Sequence, residues 1–209
     1  MKKTVTTLVR IAFLGIFLWL ILQGKMNLWL ALFGVTVVGA LFFGRFFCGY
    51  VCPMNTLMVP VDWITRKMGL KRREVPKFLK GQAGAAILLV LSVAILVLSK
   101  RFLGKNIPLL FVFLGIAVVV TIFYRPEFFH NHLCPFGLVQ SWTGRFARLS
   151  KKVSMEDCIG CKKCEKVCPS AAIAVDPENR KARIDATLCH QCQNCTVICP
   201  VNAISYGKR

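Results

Sequence analysis

The sequence predicts an α-helical membrane domain with four transmembrane helices, followed by a small α+β domain built around cysteine motifs. Of the 209 residues, 56% are hydrophobic and only 18% are charged, and the chain has 11 cysteines. Soluble domains have roughly 45–50% apolar and about 25% charged residues. Nucleic-acid binding needs a water-facing basic surface, so the excess of 28 Lys and Arg over 9 Asp and Glu indicates a membrane protein with no nucleic-acid partner.

Four apolar stretches are long enough to cross a bilayer, whose core of about 30 Å needs roughly 20 helical residues. The first runs from about residue 4 to 23 and contains Arg10 near one end, where the side chain is expected to snorkel to the interface. The others lie at about 26–43, 81–99 and 106–124. We therefore predict a membrane domain over residues 1–144 and a second domain over residues 145–209.

Basic residues are distributed unequally between the loops. The loop 44–80 holds eight Lys and Arg residues, whereas the loops on the opposite side hold four: Lys25, Lys100, Arg101 and Lys105. Cytoplasmic loops carry the excess of positive charge. The sequence therefore predicts a multi-pass protein of the inner (cytoplasmic) membrane with both termini in the cytoplasm.

The two halves of the membrane domain resemble each other. The string RFFCGYVCPMNTL begins at Arg45 and EFFHNHLCPFGLV begins at Glu127, and their Cys-Pro pairs, at Cys52 and Cys134, lie 82 residues apart. Two spans in each half keep both strings on the same face of the membrane. This pattern predicts a two-fold repeat of helix pairs about an axis along the membrane normal.

The C-terminal domain contains the motif C-x2-C-x2-C-x3-C-P twice, from Cys158 and from Cys189. In bacterial ferredoxins, three cysteines of each such motif bind one [4Fe–4S] cluster and the fourth binds the other cluster. A zinc site does not need three-cysteine runs, and disulfides would be reduced in the cytosol. We predict a 2[4Fe–4S] ferredoxin-like domain with two sets of ligands: Cys158, Cys161, Cys164 and Cys199 for cluster 1, and Cys189, Cys192, Cys195 and Cys168 for cluster 2.

Charged residues beside these motifs have more than one interpretation. Lys162, Lys163 and Lys166 form either a docking patch for an acidic redox protein or an ordinary solvated face. His190 lies inside the second motif, but cysteines already occupy all four cluster corners. We therefore expect His190 to be a surface residue.

Three further cysteines, Cys48, Cys52 and Cys134, lie where the second and fourth spans reach the cytoplasmic interface. The spacing Cys48-x3-Cys52-Pro is matched by His130-x3-Cys134-Pro, and residues four apart share a helix face. These four side chains could form a third metal centre at the membrane interface, with His132 as the alternative to His130. The other interpretation is structural: small apolar residues at span ends, where proline stops the helix.

On these motifs the sequence resembles the NapH-type membrane ferredoxin family over nearly its whole length. The resemblance rests on the paired spans, on Cys48-x3-Cys52-Pro and on the two-cluster tail. It implies a membrane component of a quinol dehydrogenase, as accompanies periplasmic nitrate reductase, with relatives in methylamine dehydrogenase and nitrous-oxide reductase systems and in cytochrome oxidase assembly. His130 stands where the family pattern has cysteine, so the resemblance does not imply a four-cysteine membrane site.

The sequence thus predicts electron transfer between the quinone pool, or a membrane redox partner, and two [4Fe–4S] clusters. It has no nucleophile–base pair, phosphate-binding glycine loop or haem-attachment C-x-x-C-H motif. We therefore expect one electron-transfer subunit of an oxidoreductase complex, with ferredoxin-, flavin- or cytochrome-type partner subunits. Two alternatives are a metal-handling assembly factor that keeps copper reduced for delivery, and a structural anchor of a larger redox complex.

Overall fold

The structure is a computed structural model that describes residues 3–73, 75, 81–103 and 109–208. Three of the basic loop residues named or counted above, Lys77, Lys80 and Lys105, lie outside the described residues. The chain divides into two compact units, Met1–Cys52 with Val139–Arg209, and Pro53–Leu138. The predicted domain boundary at residue 144 stays a prediction, and each unit is described by itself.

The membrane part of the first unit is a pair of apolar helices, α1 (Lys3–Leu22) and α2 (Met26–Phe43). The connecting turn uses Gly24 in the left-handed region, at φ +66, where a residue without Cβ has no steric penalty. The rings of Phe17 and Trp29 meet edge-on at 4.9 Å between centroids. A π-helical turn, Phe47–Val51, follows α2, and its first ring lies 5.0 Å from that of Phe33.

The tail of the first unit contains four short strands and two short helices. The elements are β1 (Leu149–Val153), α8 (Lys163–Lys166), β2 (Ile173–Val175), β3 (Ala182–Ile184), α9 (Asn194–Ile198) and β4 (Ile204–Lys208). β1 pairs antiparallel with β4, and β2 pairs antiparallel with β3. Their inward side chains form one small core with two of the motif cysteines: Cys164, Ile173, Val175, Ala182, Cys195 and Ile204.

The second unit contains the remaining helices of the described residues. These are α3 (Pro53–Lys67), α4 (Ala83–Leu98), α5 (Leu109–Phe123), α6 (Pro126–Phe128) and the start of α7 (Pro135–Gly144), with π-helical turns at Ser99–Leu103 and Phe129–Leu133. α3 packs against α5. On α3, Asp62 forms ion pairs with Arg66 at 2.9 Å and with Arg72 at 2.6 Å, which tie the chain beyond the helix end back to it.

Three of the described helical stretches are long and apolar enough to cross a membrane: Thr4–Leu22, Met26–Phe43 and Ala83–Phe102. The fourth predicted span corresponds to a shorter apolar helix, Leu109–Phe123, of 15 residues. At 1.5 Å per residue this helix is about 22 Å long, less than the hydrocarbon core. It begins directly after residues 104–108, which lie outside the described residues.

Candidate iron–sulfur site

Four cysteines line the first of two cysteine-lined cavities in the tail: Cys158, Cys161, Cys164 and Cys199. Cys164 lies on α8, and Cys199 directly follows α9. The loop before α8 turns through two left-handed residues, Gly160 at φ +67 and Lys162 at φ 59. A Cβ on Gly160 would lie 2.1 Å from the carbonyl oxygen of Arg180. Only glycine allows this close turn, which directs the three thiols of the first motif into one cavity.

The other four motif cysteines line the second cavity: Cys168, Cys189, Cys192 and Cys195. Three of them are buried, and Cys168 is half-buried. Gln191, at φ 56, supplies the left-handed turn of this loop. Asn194 Nδ2 donates to the carbonyl oxygen of Val167 at 3.3 Å, which ties the second motif to the end of the first.

Each cavity therefore combines three cysteines of one motif with the fourth cysteine of the other. Cys199 joins the first triplet and Cys168 joins the second triplet. This is the grouping that the spacing predicts. The assignment of these cysteines as cluster ligands is a proposal, argued below.

Backbone N–H groups point at a thiol of each cavity. Ala182 N–H donates to Cys158 Sγ at 3.4 Å, and Ala172 N–H donates to Cys168 Sγ at 3.3 Å. Such bonds stabilise negative charge on sulfur, and they are among the features that set the potential of an iron–sulfur cluster. The cavities are thus built for thiolates that carry net negative charge.

The thiols are nevertheless hard to ionise without a bound cation. Burial raises the pKa of the Cys189 and Cys195 thiols to about 12, and it raises the pKa of Cys164 and Cys192 as well. In the described part of the chain, no three His, Cys, Asp or Glu side chains lie close enough to hold one metal ion. Four thiols line each cavity, which is the number that a [4Fe–4S] cube needs for one thiolate at each iron.

The second cavity adjoins the membrane helices of its unit. A Cβ on Gly49 would lie 2.1 Å from the carbonyl oxygen of His190 and 3.5 Å from the backbone nitrogen of Cys192. Tyr50 Oη donates to the Gln191 carbonyl oxygen at 3.2 Å and accepts from Gln193 Nε2 at 3.3 Å. The turn after α2 therefore forms the floor beneath the second motif loop.

Two sequence-based expectations about this region are wrong. His190 is not a surface residue, because the Gly49–Tyr50 turn covers its loop and leaves the side chain 1% exposed. Arg10 does not snorkel to solvent: it is 7% exposed, and its Nε donates to the carbonyl oxygen of Gly49 at 2.7 Å. A charge inside an apolar span is itself a signal of function, and that signal marks Arg10. Tyr50 and Gln191 carry no comparable signal in the sequence.

The first cavity faces solvent. Cys161, Lys162 and Lys163 line it and are exposed, and Lys166 is exposed nearby. Ile159, also on the rim, is 62% exposed. Both interpretations of the three lysines, as a docking patch and as a solvated face, are compatible with this exposure.

The two membrane Cys-Pro strings have the same local conformation. Phe47–Val51 and Phe129–Leu133 are both π-helical turns, and each ends in a cysteine with extended backbone whose N–H bonds to the first phenylalanine of the turn: Cys52 to Phe47 and Cys134 to Phe129. The prolines that follow do not stop a helix. Pro53 and Pro135 begin α3 and α7, because proline suits the first position of a helix and holds the residue before it extended.

The residues of the predicted membrane centre are divided between the two units. Cys48 and Cys52 are buried in the first unit, and Arg45 Nη2 approaches Cys48 Sγ at 4.0 Å. Cys134 and His130 are buried in the second unit, and Gly137 N–H donates to Cys134 Sγ at 3.3 Å. His132 Nδ1 instead lies within hydrogen-bond distance of the Gly81 backbone, 3.0 Å from its nitrogen. Their convergence as one centre stays a prediction.

Comparison with protein families connects these sites to iron–sulfur chemistry. A model described as a 4Fe-4S binding domain matches residues 27–71 and 106–155. A second model, a 4Fe-4S dicluster domain, matches residues 157–203. The first match covers both Cys-Pro strings, and the second covers both cavities.

Curated relatives extend this likeness. The chain is 30% identical to the uncharacterized protein MJ0749 of Methanocaldococcus jannaschii, over 65% of this chain and 55% of the relative. It is 28% identical to the methylamine utilization ferredoxin-type protein MauN of Methylobacillus flagellatus, over 77% of this chain and 62% of the relative. It is 27% identical to the ferredoxin-type protein NapH of Haemophilus influenzae, over 66% and 52%. The chain therefore spans about half to three-fifths of these relatives.

The apolar helices, the paired cysteine cavities and the two family matches together define an iron–sulfur electron-transport protein of the membrane, ferredoxin-like in its tail. Its relatives named NapH and MauN are ferredoxin-type proteins. These matches support the NapH-type membrane ferredoxin family, which confirms the resemblance drawn from the motifs.

Proposed function

We propose that this chain is a membrane-bound electron-transfer subunit that relays electrons between the quinone pool, or a membrane redox partner, and two [4Fe–4S] clusters. One observation carries the proposal: within one compact unit, the second cysteine cavity rests on the turn after α2, whereas the first cavity opens to solvent. Such an arrangement suits electron exchange with the membrane at one end of the tail and with a water-soluble partner at the other.

The cysteines of the two cavities are the proposed ligands, four to each cluster, in the groups that the cavities define. When bound, each cluster accepts and donates one electron at a time. The chain supplies the remaining requirements. The thiols hold the group, Ala182 and Ala172 donate hydrogen bonds to sulfur, and the strand residues of the tail core exclude water.

The proposed topology has four spans, an internal repeat and both termini in the cytoplasm of the inner membrane. The matched conformations of Phe47–Val51 and Phe129–Leu133 support the repeat. The basic residues of the loop 44–80 support the orientation through the positive-inside rule. The three helices that could cross a membrane account for three of the four spans.

The membrane cysteines and His130 are proposed to form a third redox or metal centre at the interface. Their support is burial within each unit and a polar neighbour for one thiol in each: Arg45 at Cys48 and Gly137 N–H at Cys134. Further redox subunits are proposed as partners, because a relay needs both a donor and an acceptor. Exposed Lys162, Lys163 and Lys166 would suit an acidic partner at the first cavity.

The relay can be tested in membranes that contain the protein and defined quinols. We expect quinol to bleach the visible absorption of the clusters under anaerobic conditions, and an oxidised acceptor to restore it. The matched control is Cys161→Ser, which removes a ligand from the solvent-facing cavity and should reduce the bleached amplitude by about half.

Three other outcomes would contradict the proposal. Clusters that dithionite reduces, but that neither quinol nor the co-purified complex reduces, would exclude the relay. A change in the copper content of a client protein, without any bleaching, would favour the assembly factor. A result with neither bleaching nor a change in copper content would favour the structural anchor.

A further inference from the structure

Two buried cations lie beside the second cavity. The first is Arg10 on α1, whose Nε donates to the Gly49 carbonyl oxygen at 2.7 Å. Gly49 in turn sits against the backbone of His190 and Cys192, so Arg10 is one residue removed from the second motif loop. The second cation is Lys151 on β1, which is 5% exposed. Its Nζ donates to Gln193 Oε1 at 3.0 Å and to Thr196 Oγ1 at 3.1 Å, and both partners belong to the same loop and helix as the cysteines.

Neither cation has a carboxylate partner in the part of the chain that the structure describes. Lys151 contacts two neutral oxygens and lies 5.8 Å above the ring of Tyr206. Arg10 contacts one carbonyl, and its Nη2 is buried without a hydrogen-bond partner among the described residues. A buried charge without a counter-charge is costly. The cysteine cavity next to both side chains offers the missing negative charge, because a [4Fe–4S] cluster with four thiolates is an anion.

We propose that Arg10 and Lys151 are the counter-charges of the second cluster and selectively raise its reduction potential. The inference rests on the cluster assignment in the proposed function. Reduction of the cluster adds one electron and no proton, so the anion gains one negative charge. The two buried cations therefore attract the reduced cluster more strongly than the oxidised cluster. This attraction is stronger in a low-dielectric interior than in water. The charges therefore favour the reduced state.

The second cavity is also more deeply buried than the first. Three of its four cysteines are buried, whereas only Cys164 is buried in the first cavity. Burial without cations would lower the reduction potential of the second cluster, because a dry cavity disfavours added negative charge. Arg10 and Lys151 offset that penalty.

The first cavity provides the contrast. Lys162 and Lys163 on its rim are exposed, so water and salt screen their charges. Lys163→Gln is therefore a matched control for the two buried cations: it removes one positive charge next to a cluster, but at a solvated position.

The test is an anaerobic redox titration of the detergent-solubilised full chain with dithionite, monitored by electron paramagnetic resonance. In Arg10→Gln and in Lys151→Gln we expect the same one of the two midpoint potentials to fall, with the other unchanged. Each variant should reduce the equilibrium constant for reduction of that cluster about tenfold, which corresponds to about 59 mV for one electron. Arg10→Lys and Lys151→Arg keep the charge and should restore most of the shift.

Several results would overturn the proposal. One is unchanged midpoint potentials in both glutamine variants with full iron content. Others are equal shifts in the potentials of both clusters, or shifts of different clusters in the two variants. An equal shift in Lys163→Gln, or a charge-conserving variant whose potential shifts as far as that of its glutamine variant, would also overturn the proposal. If Arg10→Gln loses its clusters on purification, the potential of Lys151→Gln decides. The titration uses no quinol, so it is independent of the relay test. A wild-type chain without clusters would refute the cluster assignment instead.

Discussion

Gly49 is the residue on which the contact between membrane helices and cluster loop depends. A Cβ at this position would lie 2.1 Å from the His190 carbonyl oxygen. The neighbouring atoms belong to the backbone, which cannot move aside as a flexible side chain can. We expect Gly49→Ala to push the second motif loop away and to destabilise the unit by about 1 to 3 kcal/mol, as overpacking does. The measurement is the midpoint temperature of cluster loss.

Gly34→Ala is the control for this substitution, because a Cβ on Gly34, in α2, meets no atom within 4 Å. A Gly49→Ala protein that loses its clusters at the same temperature as Gly34→Ala would show that the loop does not rest on this glycine.

The cavity thiols should reveal their environment through alkylation. The pKa of Cys189 and Cys195 is raised to about 12 by burial, so the thiolate fraction at pH 8 is very small and grows about tenfold for each pH unit. In folded protein stripped of iron, iodoacetamide should modify these two cysteines far more slowly than exposed Cys161. Their rates should rise steadily between pH 8 and pH 10, as followed by peptide mass spectrometry.

The comparison within one chain makes this result easy to interpret. Denaturation in urea should make the three rates equal. Equal rates in the folded protein would mean that the cavity does not hold its thiols in a dry environment.

At the scale of the elements, the exchange of cysteines between the two motifs has a measurable consequence. Cys199 lies in the second motif but lines the first cavity, and Cys168 does the reverse. The unmutated chain should bind about eight irons through these motifs. Cys199→Ser should remove the cluster at the solvent-facing cavity, and Cys168→Ser the cluster next to Gly49, each leaving about four irons and four acid-labile sulfides after anaerobic purification.

Each variant is the control for the other, and adding Arg10→Gln shows which cluster remains. The potential that remains in Cys199→Ser should respond to Arg10→Gln, whereas the one that remains in Cys168→Ser should not. Iron near four in the unmutated protein would contradict the two-cluster assignment.

The membrane cysteines in and after the two π-helical turns can be tested by substitution. We expect Cys48→Ser and Cys134→Ser each to leave the tail clusters assembled and to slow their reduction by quinol or by the membrane partner at least tenfold. Oxygen is a poorer soft ligand than sulfur, so a metal-binding or redox role would be sensitive to this change, whereas packing would not. Stopped-flow absorption measures the rate. Normal rates with unchanged metal content would assign these cysteines to packing alone.

The sequence predicts only part of the structure of these two turns. The 82-residue offset identified two equivalent strings, because residue types are visible in a sequence. It did not predict π-helical turns, which need an i to i+5 hydrogen bond that no residue pattern specifies. The structural interpretation of the cysteines had proline end a helix, but Pro53 and Pro135 begin one, because the extended residues Cys52 and Cys134 separate each proline from the turn before it.

At the scale of the whole molecule, the topology can be tested from both sides of the membrane. A reporter fused after Arg209 should be active only if it functions in the cytoplasm, because the four proposed spans would return the tail to the side of the N-terminus. A cysteine at Asn106, outside the described residues, should react with an impermeant thiol reagent from the periplasmic side. Cysteine at Met68, in the basic loop, should react only after permeabilisation, and the opposite pattern would overturn the orientation.

The site was more predictable than its surroundings. Three of the proposed ligands of each cluster follow from the spacing within one motif, since one tight loop can present three thiols to one cube. The support for the second loop comes from Gly49 and Tyr50, which meet the loop across 141 to 143 positions of sequence. Arg10 in turn bonds to Gly49 across 39 positions. Contacts at such separation depend on how the helices and the tail fold together, which no local pattern records.

The interlocking of the two motifs also fixes an order during synthesis of the chain. The first three cysteines of the first cavity are synthesised first, but that set of ligands is complete only with Cys199. The second set is already complete with Cys195. The ligands of the cavity that rests on the membrane helices are thus complete before those of the solvent-facing one, and β4, which closes the tail against β1, is made after both sets. The proposed cluster next to Gly49 would therefore have its full set of ligands before the proposed cluster whose cavity opens to solvent.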